Sequence, residues 1–263
     1  MPTLQTGGQT LYYEDTGGDG QVVVFSHGLL MDRTMFDAQV AALSKKYRVI
    51  TWDERGHGNA GDATAPFSYY DSAADLVGLL QQLSIPSAIF AGMSQGGYLS
   101  LRAALRYPQM VAGLILIDTQ ALPENPVTLP HYTQLINNWV ANGLDDQTAA
   151  TLEHIILGAG YADASLWKAK WKKVTPANLL QIFNTLVTRD DLTESLSQIK
   201  VPALVIHGDT DNAIPLAHAE EMARRLPQAT LKVIPGAGHA ANLTHAALVT
   251  PLIETFLERF NSV

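Results

Sequence analysis

Short apolar runs recur along the chain at Leu11 to Glu14, Gln21 to Ser26, Tyr47 to Asp53, Ala88 to Gly92, Gly113 to Asp118, Ala203 to Gly208 and Thr230 to Pro235. Their length and their share of β-branched and aromatic residues predict strands. Between them, apolar residues fall at helical spacing over Met35 to Leu43, Ser72 to Leu83, Tyr98 to Tyr107, Ala217 to Leu226 and Ala246 to Phe260. The central strands are apolar at successive positions, as a parallel sheet covered on both faces requires. Strand and helix alternate, so the fold class is α/β with a mostly parallel, doubly wound sheet. Apart from Leu11 to Glu14, the stretch Met1 to Gly20 is polar and rich in turn formers.

One stretch breaks the alternation. From Gln120 to about Leu196 no strand pattern appears, whereas Tyr132 to Asn142, Asp146 to Leu157, Leu166 to Lys173 and Ala177 to Thr188 read as helices. A helical insertion placed after the strand that ends near Asp118 is expected to lie as a cap over the C-terminal edge of the sheet. The chain then divides into a core, residues 1–119 and 197–263, and a cap, residues 120–196. No internal repeat or low-complexity segment is present.

Composition narrows the function classes. With 263 residues, 47% hydrophobic and 16% charged, the chain is an ordinary globule long enough for a large core. Its net charge is −8 and it has no block of Lys or Arg, so neither nucleic acid nor an anionic membrane surface is an expected partner. The absence of cysteine removes disulfides, thiolate nucleophiles and Cys-bound metals. No apolar run approaches a membrane span and no secretory signal is visible, so a cytoplasmic location is expected. The sequence carries no signal of oligomeric state.

The candidate chemistry sits at predicted strand ends, where open α/β sheets bind ligands. Residues 92 to 97 read Gly-Met-Ser-Gln-Gly-Gly after an apolar strand and before a helix. In this Gly-x-Ser-x-Gly pattern, Ser94 occupies a turn too tight for side chains at Gly92 and Gly96, with its hydroxyl lifted to a helix N-terminus. His27-Gly28-Leu29 follows the second predicted strand, where Gly28 lets a backbone amide, that of Leu29, face Ser94; the Gln95 amide is the second candidate donor to an oxyanion. Asp209 and Asp211 follow Ala203 to Gly208, and Gly238-His239 follows the last strand. The order serine, aspartate, histidine fits a nucleophile, an orienting acid and a base.

On these motifs, together with Asp53-Glu54-Arg55-Gly56-His57-Gly58, the chain resembles the α/β-hydrolase family over nearly its whole length. The resemblance implies that Ser94 is the nucleophile, His239 the general base, the amides of Leu29 and Gln95 the oxyanion hole, and the insertion the family's cap. It also favours Asp211, four residues before Pro215, as the acid; Asp209 lies nearer the strand end and would then cap the loop. A cofactor-independent serine hydrolase of carboxylic esters or lactones is the expected function, without cofactor or metal, acting on a small apolar and uncharged substrate. Enol-lactonases, acyl-homoserine lactonases, carbon–carbon hydrolases, perhydrolases and acyltransferases use nearly the same residues, and a ligand-sensing protein on this fold is the alternative of another class. The serine at the elbow argues against epoxide hydrolase or dehalogenase chemistry, where the resembling families carry Asp.

Several conspicuous residues carry a plainer expectation. His57 shapes its Gly-flanked turn, and His207 is a hydrogen-bonded core residue. His131, His154, His218 and His245 lack ligand spacing. Trp139, Trp167, Trp171 and Phe183 form the cap's own core, and Lys168, Lys170, Lys172 and Lys173 a solvated helix face.

Overall fold

The computed structural model describes residues 2–6, 8–63 and 65–260. Strands β1 (Thr3–Thr6), β2 (Gln9–Asp15), β3 (Val22–Ser26), β4 (Arg48–Asp53), β5 (Ala88–Met93), β6 (Val111–Ile117), β7 (Ala203–Gly208) and β8 (Ala229–Ile234) form one sheet in the order β1-β2-β4-β3-β5-β6-β7-β8. The pairings β1 with β2 and β2 with β4 are antiparallel, and all others are parallel. Strand β1 was not legible in the sequence. It is an edge strand in which only Leu4 is buried, paired with Leu11, so four residues with one inward side chain leave no alternation to read.

Ten helices flank the sheet among the described residues: α1 (Asp37–Leu43), α2 (Tyr69–Gln82), α3 (Gln95–Arg106), α4 (Leu129–Asn142), α5 (Asp146–Ile156), α6 (Ala164–Trp171), α7 (Pro176–Val187), α8 (Leu216–Arg225), α9 (Ala241–Thr244) and α10 (Ala246–Leu257). Successive residues of each central strand point to opposite faces. Val23, Phe25, Ile115, Ile117, Leu204 and Ile206 join Leu43 of α1 and Val249 and Ile253 of α10 on one face. Val24, Phe90, Leu114, Leu116 and Val205 join Leu76 of α2, Leu99 of α3 and Met222 of α8 on the other. Both faces are dry, which explains the uninterrupted apolar strands.

Helices α4 to α7 fill the interval between β6 and β7 with no strand, and their buried Ile136, Trp139, Leu152, Trp171 and Ile182 continue the core on the α1 and α10 side. Helix α2 starts three residues earlier than its apolar periodicity suggests, because Ser68 and Asp71 form a reciprocal capping box ahead of the buried Tyr69. Helix α3 also starts early, at Gln95, so that Gly96 and Gly97 lie in its first turn. No helix among the described residues is long and apolar enough to cross a membrane.

Close backbone approach explains these glycines. A Cβ at Gly92 would sit 2.1 Å from the Gly96 carbonyl oxygen, and one at Gly96 would sit 2.0 Å from that of Ser26. The end of β3 is therefore pressed against the start of α3. Gly96→Ala is expected to destabilise the fold by about 3 kcal/mol or more, since backbone rather than a side chain must move. Chemical denaturation of the purified variant checks this; a loss under about 1 kcal/mol would mean that the β3 and α3 ends can separate cheaply.

Candidate active site

Ser94 links β5 to α3 with φ 53° and ψ −119°, a backbone conformation that L-residues rarely adopt. The strain is held by backbone bonds on both sides: the Ser94 amide donates to Ile117 (2.9 Å), and the Ser94 carbonyl accepts from the Gly97 amide (3.0 Å) and the Thr119 hydroxyl (2.6 Å). Gly28 stands beside it, where a Cβ would lie 3.6 Å from that of Ser94. The buried His27 fixes this loop. Its Nδ1–H donates to the Gly28 carbonyl (2.9 Å), and its Nε2 accepts from the Glu54 amide (3.0 Å), so the ring is neutral, in keeping with burial lowering its pKa. The amides of Leu29 and Gln95 donate to no acceptor among the described residues. The Gln95 side chain is turned away and locked, its Nε2 donating to Glu54 (2.8 Å) and its Oε1 accepting from Tyr69 (3.0 Å).

His239 Nε2 lies 2.9 Å from Ser94 Oγ, and His239 Nδ1 lies 2.8 Å from Asp211 Oδ2. Asp211 is held by the amides of Ala213 (2.7 Å) and Ile214 (3.0 Å), which cap the turn leading to Pro215. Asp209 points elsewhere: it is exposed and accepts from the Gly236 amide at 2.7 Å, closing its loop. A third carboxylate joins the two loops. Asp118, fully buried after β6, accepts from the Gly208 amide with Oδ1 and from the Ala241 amide with Oδ2, each at 2.8 Å.

These charges set the protonation states. Burial favours a neutral His239, but the Asp211 carboxylate outweighs it, helped by Asp118 and Glu124, so the imidazole pKa is raised above its ordinary 6.5. Burial pushes the Asp211 carboxyl up, yet His239 and the Ile214 amide win and hold it below its ordinary value. Asp118 is pushed up to about 8 by burial and by the neighbouring Asp211, with its two amide partners pulling the other way. The resulting state is an ionised Asp211 accepting from Nδ1–H, which leaves Nε2 free to accept the Ser94 proton.

The hydroxyl opens into a narrow cavity of about 110 Å³. Its wall is mostly apolar, with Leu135 and Ile136 of α4, Leu152 and Ile155 of α5 and Phe183 of α7 facing Met93, Ser94 and His239. Two charged residues, Glu124 and Arg189, also line it.

A family model described as the alpha/beta hydrolase fold matches residues 21–246. The chain belongs to the α/β-hydrolase family. Among curated proteins it is 29% identical to a putative non-heme chloroperoxidase of Synechocystis, over 98% of this chain and all of that one. Among solved structures it superposes on a thermophilic esterase from Thermogutta terrifontis (TM-score 0.87, 29% identity, 98% of this chain and 96% of the other). It superposes equally on the enol-lactonase of Burkholderia xenovorans (TM-score 0.90, 27% identity, 98% and 100%).

The hydrolase places some residues where the sequence alone did not. Trp139, Trp167 and Trp171 are buried in the helical insertion, but Phe183 faces the cavity. Trp171 also donates from its indole to the Leu30 carbonyl (2.8 Å), tying α6 to the loop that carries Leu29. Lys170 is only partly solvated: it also pairs with Asp32 (2.8 Å) and lies 4.1 Å over the Trp167 ring. His57 packs on His27 with ring centroids 4.8 Å apart, and burial drives its pKa down to about 3. His207 is buried as expected, with Nε2 2.9 Å from the Ile214 carbonyl. Asp118, His207 and Asp211 are the one grouping with metal-ligand convergence among the described residues, and their carboxylate oxygens already accept from amides and from His239. Sequence reasoning missed Asp118, Glu124 and Arg189; only Asp118 left a signal, a carboxylate directly behind an apolar strand.

The His239 ring should titrate with a midpoint above 6.5, followed by NMR of its C2–H in the intact hydrolase. Asp211→Asn should lower that midpoint, and Asp209→Asn should leave it in place. A drop on Asp209→Asn alone would exchange the roles of the two acids.

Proposed function

We propose that this hydrolase cleaves a carboxylic ester or lactone through an acyl-enzyme on Ser94. The observation that carries the reading is the unbroken series from Ser94 Oγ through His239 to Asp211, with two amides that have no acceptor of their own, those of Leu29 and Gln95, at its Ser94 end. Ser94 attacks the carbonyl carbon while His239 Nε2 takes its proton, and the imidazolium so formed is stabilised by Asp211. Negative charge that gathers on the carbonyl oxygen is met by the Leu29 and Gln95 amides at the positive end of α3. His239 then protonates the leaving oxygen. Water, activated by the same imidazole, releases the acid and restores Ser94.

Residues 120–196 act in this reading as a cap over a core of 1–119 and 197–263, because the insertion supplies most of the cavity's apolar wall. The likeness to an esterase and to an enol-lactonase supports both ester and lactone substrates. The narrow cavity favours short chains over long acylglycerols.

Ser94→Ala and His239→Ala are expected to fold and to lose esterase turnover by about 10⁴-fold or more, because members of such a relay act as a unit. Residual activity within tenfold of the parent protein would remove Ser94 from the mechanism. Across p-nitrophenyl esters, kcat/KM should rise from acetate to butyrate or hexanoate, each methylene adding about 1 kcal/mol of binding, and fall by laurate. A steady rise through palmitate would point to an open lipid-binding surface.

The acid side of the kcat/KM profile gives a further check. Since the free-enzyme pKa of His239 is raised, and only the neutral ring accepts the Ser94 proton, activity should be lost as pH falls through a midpoint above 6.5. A profile flat from about pH 5 to 8 would exclude a histidine base.

A further inference from the structure

The cavity beside Ser94 is apolar except at one place. Arg189, just beyond α7, lines it with a side chain that keeps 2% of its exposure. Its Nη2 lies 2.7 Å from Glu124 Oε1, and the Tyr98 ring lies 5.0 Å from its guanidinium carbon. Neither Nε nor Nη2 has a hydrogen-bond partner of proper geometry. A guanidinium carries five donors in a planar fork, and burying it without acceptors costs several kcal/mol. The Glu124 carboxylate balances the charge but gives Nε no acceptor.

The two charged side chains differ in freedom. Glu124 keeps 15% of its exposure and sits in the segment between β6 and α4, so it can turn toward solvent. Arg189 is fixed against Tyr98, and its own amide bonds back to Leu186 in the last turn of α7. An arriving carboxylate therefore exchanges with Glu124 at a stationary cation. Exchange uncovers the Nε and Nη2 edge, which matches a carboxylate with two parallel hydrogen bonds.

We propose that Arg189 determines specificity for a substrate bearing a carboxylate at the end remote from the scissile carbonyl, such as a half-ester of a dicarboxylic acid or a carboxylated lactone. The proposal rests on the acyl-enzyme reading and replaces the uncharged substrate expected from the apolar residues of the insertion alone. Ser94 and Arg189 line the same cavity of about 110 Å³, so the spacer that joins the two groups is short, a few carbons.

The test compares the p-nitrophenyl half-ester of glutarate with p-nitrophenyl valerate, whose acyl chain has the same number of carbons. The parent protein should prefer the half-ester in kcat/KM by tenfold or more. Arg189→Gln should cut the ratio of the two kcat/KM values at least tenfold, through KM, and Glu124→Gln should raise it. A ratio that moves by less than threefold in a folded Arg189→Gln variant overturns the proposal.

If Arg189→Gln fails to fold, Arg189→Lys keeps the charge but loses the fork, and a tenfold fall of the ratio is expected there too. Binding of monomethyl glutarate and of the neutral methyl valerate to Ser94→Ala protein, followed by calorimetry, reads the anion site without turnover. Monomethyl glutarate binding at least tenfold tighter than methyl valerate supports the site, and equal binding overturns it. Should both p-nitrophenyl esters resist hydrolysis while monomethyl glutarate still binds selectively, the acyl-enzyme reading fails and the anion site stands.

Discussion

The site depends on one buried carboxylate. Asp118 has each oxygen on a different amide, Gly208 at the root of the Asp211 loop and Ala241 just past His239, so the Asp211 and His239 loops share a mechanical origin at the end of β6. The β6 end also receives the amide of Ser94 through the Ile117 carbonyl. Three loops distant in sequence are thereby referenced to two consecutive residues. A half-ångström shift of either loop would open the 2.8 Å and 2.9 Å contacts around His239; hydrogen bonds weaken steeply with such changes in distance and angle. The φ of 44° at Asp118 itself belongs with this requirement, since the chain must leave β6 sharply for its side chain to turn back between the loops.

Ser94 is placed by repulsion as much as by attraction. Backbone of β3, β5 and α3 meets so closely at Gly92 and Gly96 that no side chain fits between. Ser94 is left with one strained conformation, which aims its hydroxyl out of the sheet. The same crowding brings the Gly28 loop beside it, where the neutral His27 bridges the ends of β3 and β4. The helical insertion completes the assembly from above through the Trp171 bond to Leu30 and the Lys170 pair with Asp32. Movement of that insertion would therefore reach the Leu29 amide directly.

Much of this was legible from residue patterns, and the exceptions have physical reasons. The central strands and the glycine-bracketed serine are local signals, fixed by burial on two faces and by backbone crowding. Asp211 and Asp209 sit two residues apart in one turn, and only geometry shows that Asp211 reaches His239 while Asp209 closes the loop. The β1 strand has one buried residue and so no pattern. Arg189 and Glu124 lie 65 positions apart, and neither belongs to a motif. Their pairing depends on how the insertion folds back, which no window of sequence contains. The lysines of α6 failed similarly: Lys168 and Lys170 meet Glu153 and Asp32, from two different elements.

The electrostatics around His239 favour base strength over acid tolerance. Asp211, Asp118 and Glu124 all raise its pKa against the opposing effect of burial, Asp211 most of all; in the proposed mechanism the ionised Asp211 carries the stabilisation of the imidazolium, because Asp118, pushed up to about 8, keeps its own proton below that pH. A stronger base transfers the proton more readily, but a smaller fraction of the ring is neutral at a given pH below its pKa. Arg189 sits on the other side of this balance through its pair with Glu124. When a substrate carboxylate takes Glu124's place at the guanidinium and Glu124 turns to solvent, one negative charge replaces another beside Arg189. In that reading an anionic substrate is selected at the guanidinium without disturbing the charge balance around His239, whereas a neutral ester of equal length would leave Glu124 in place.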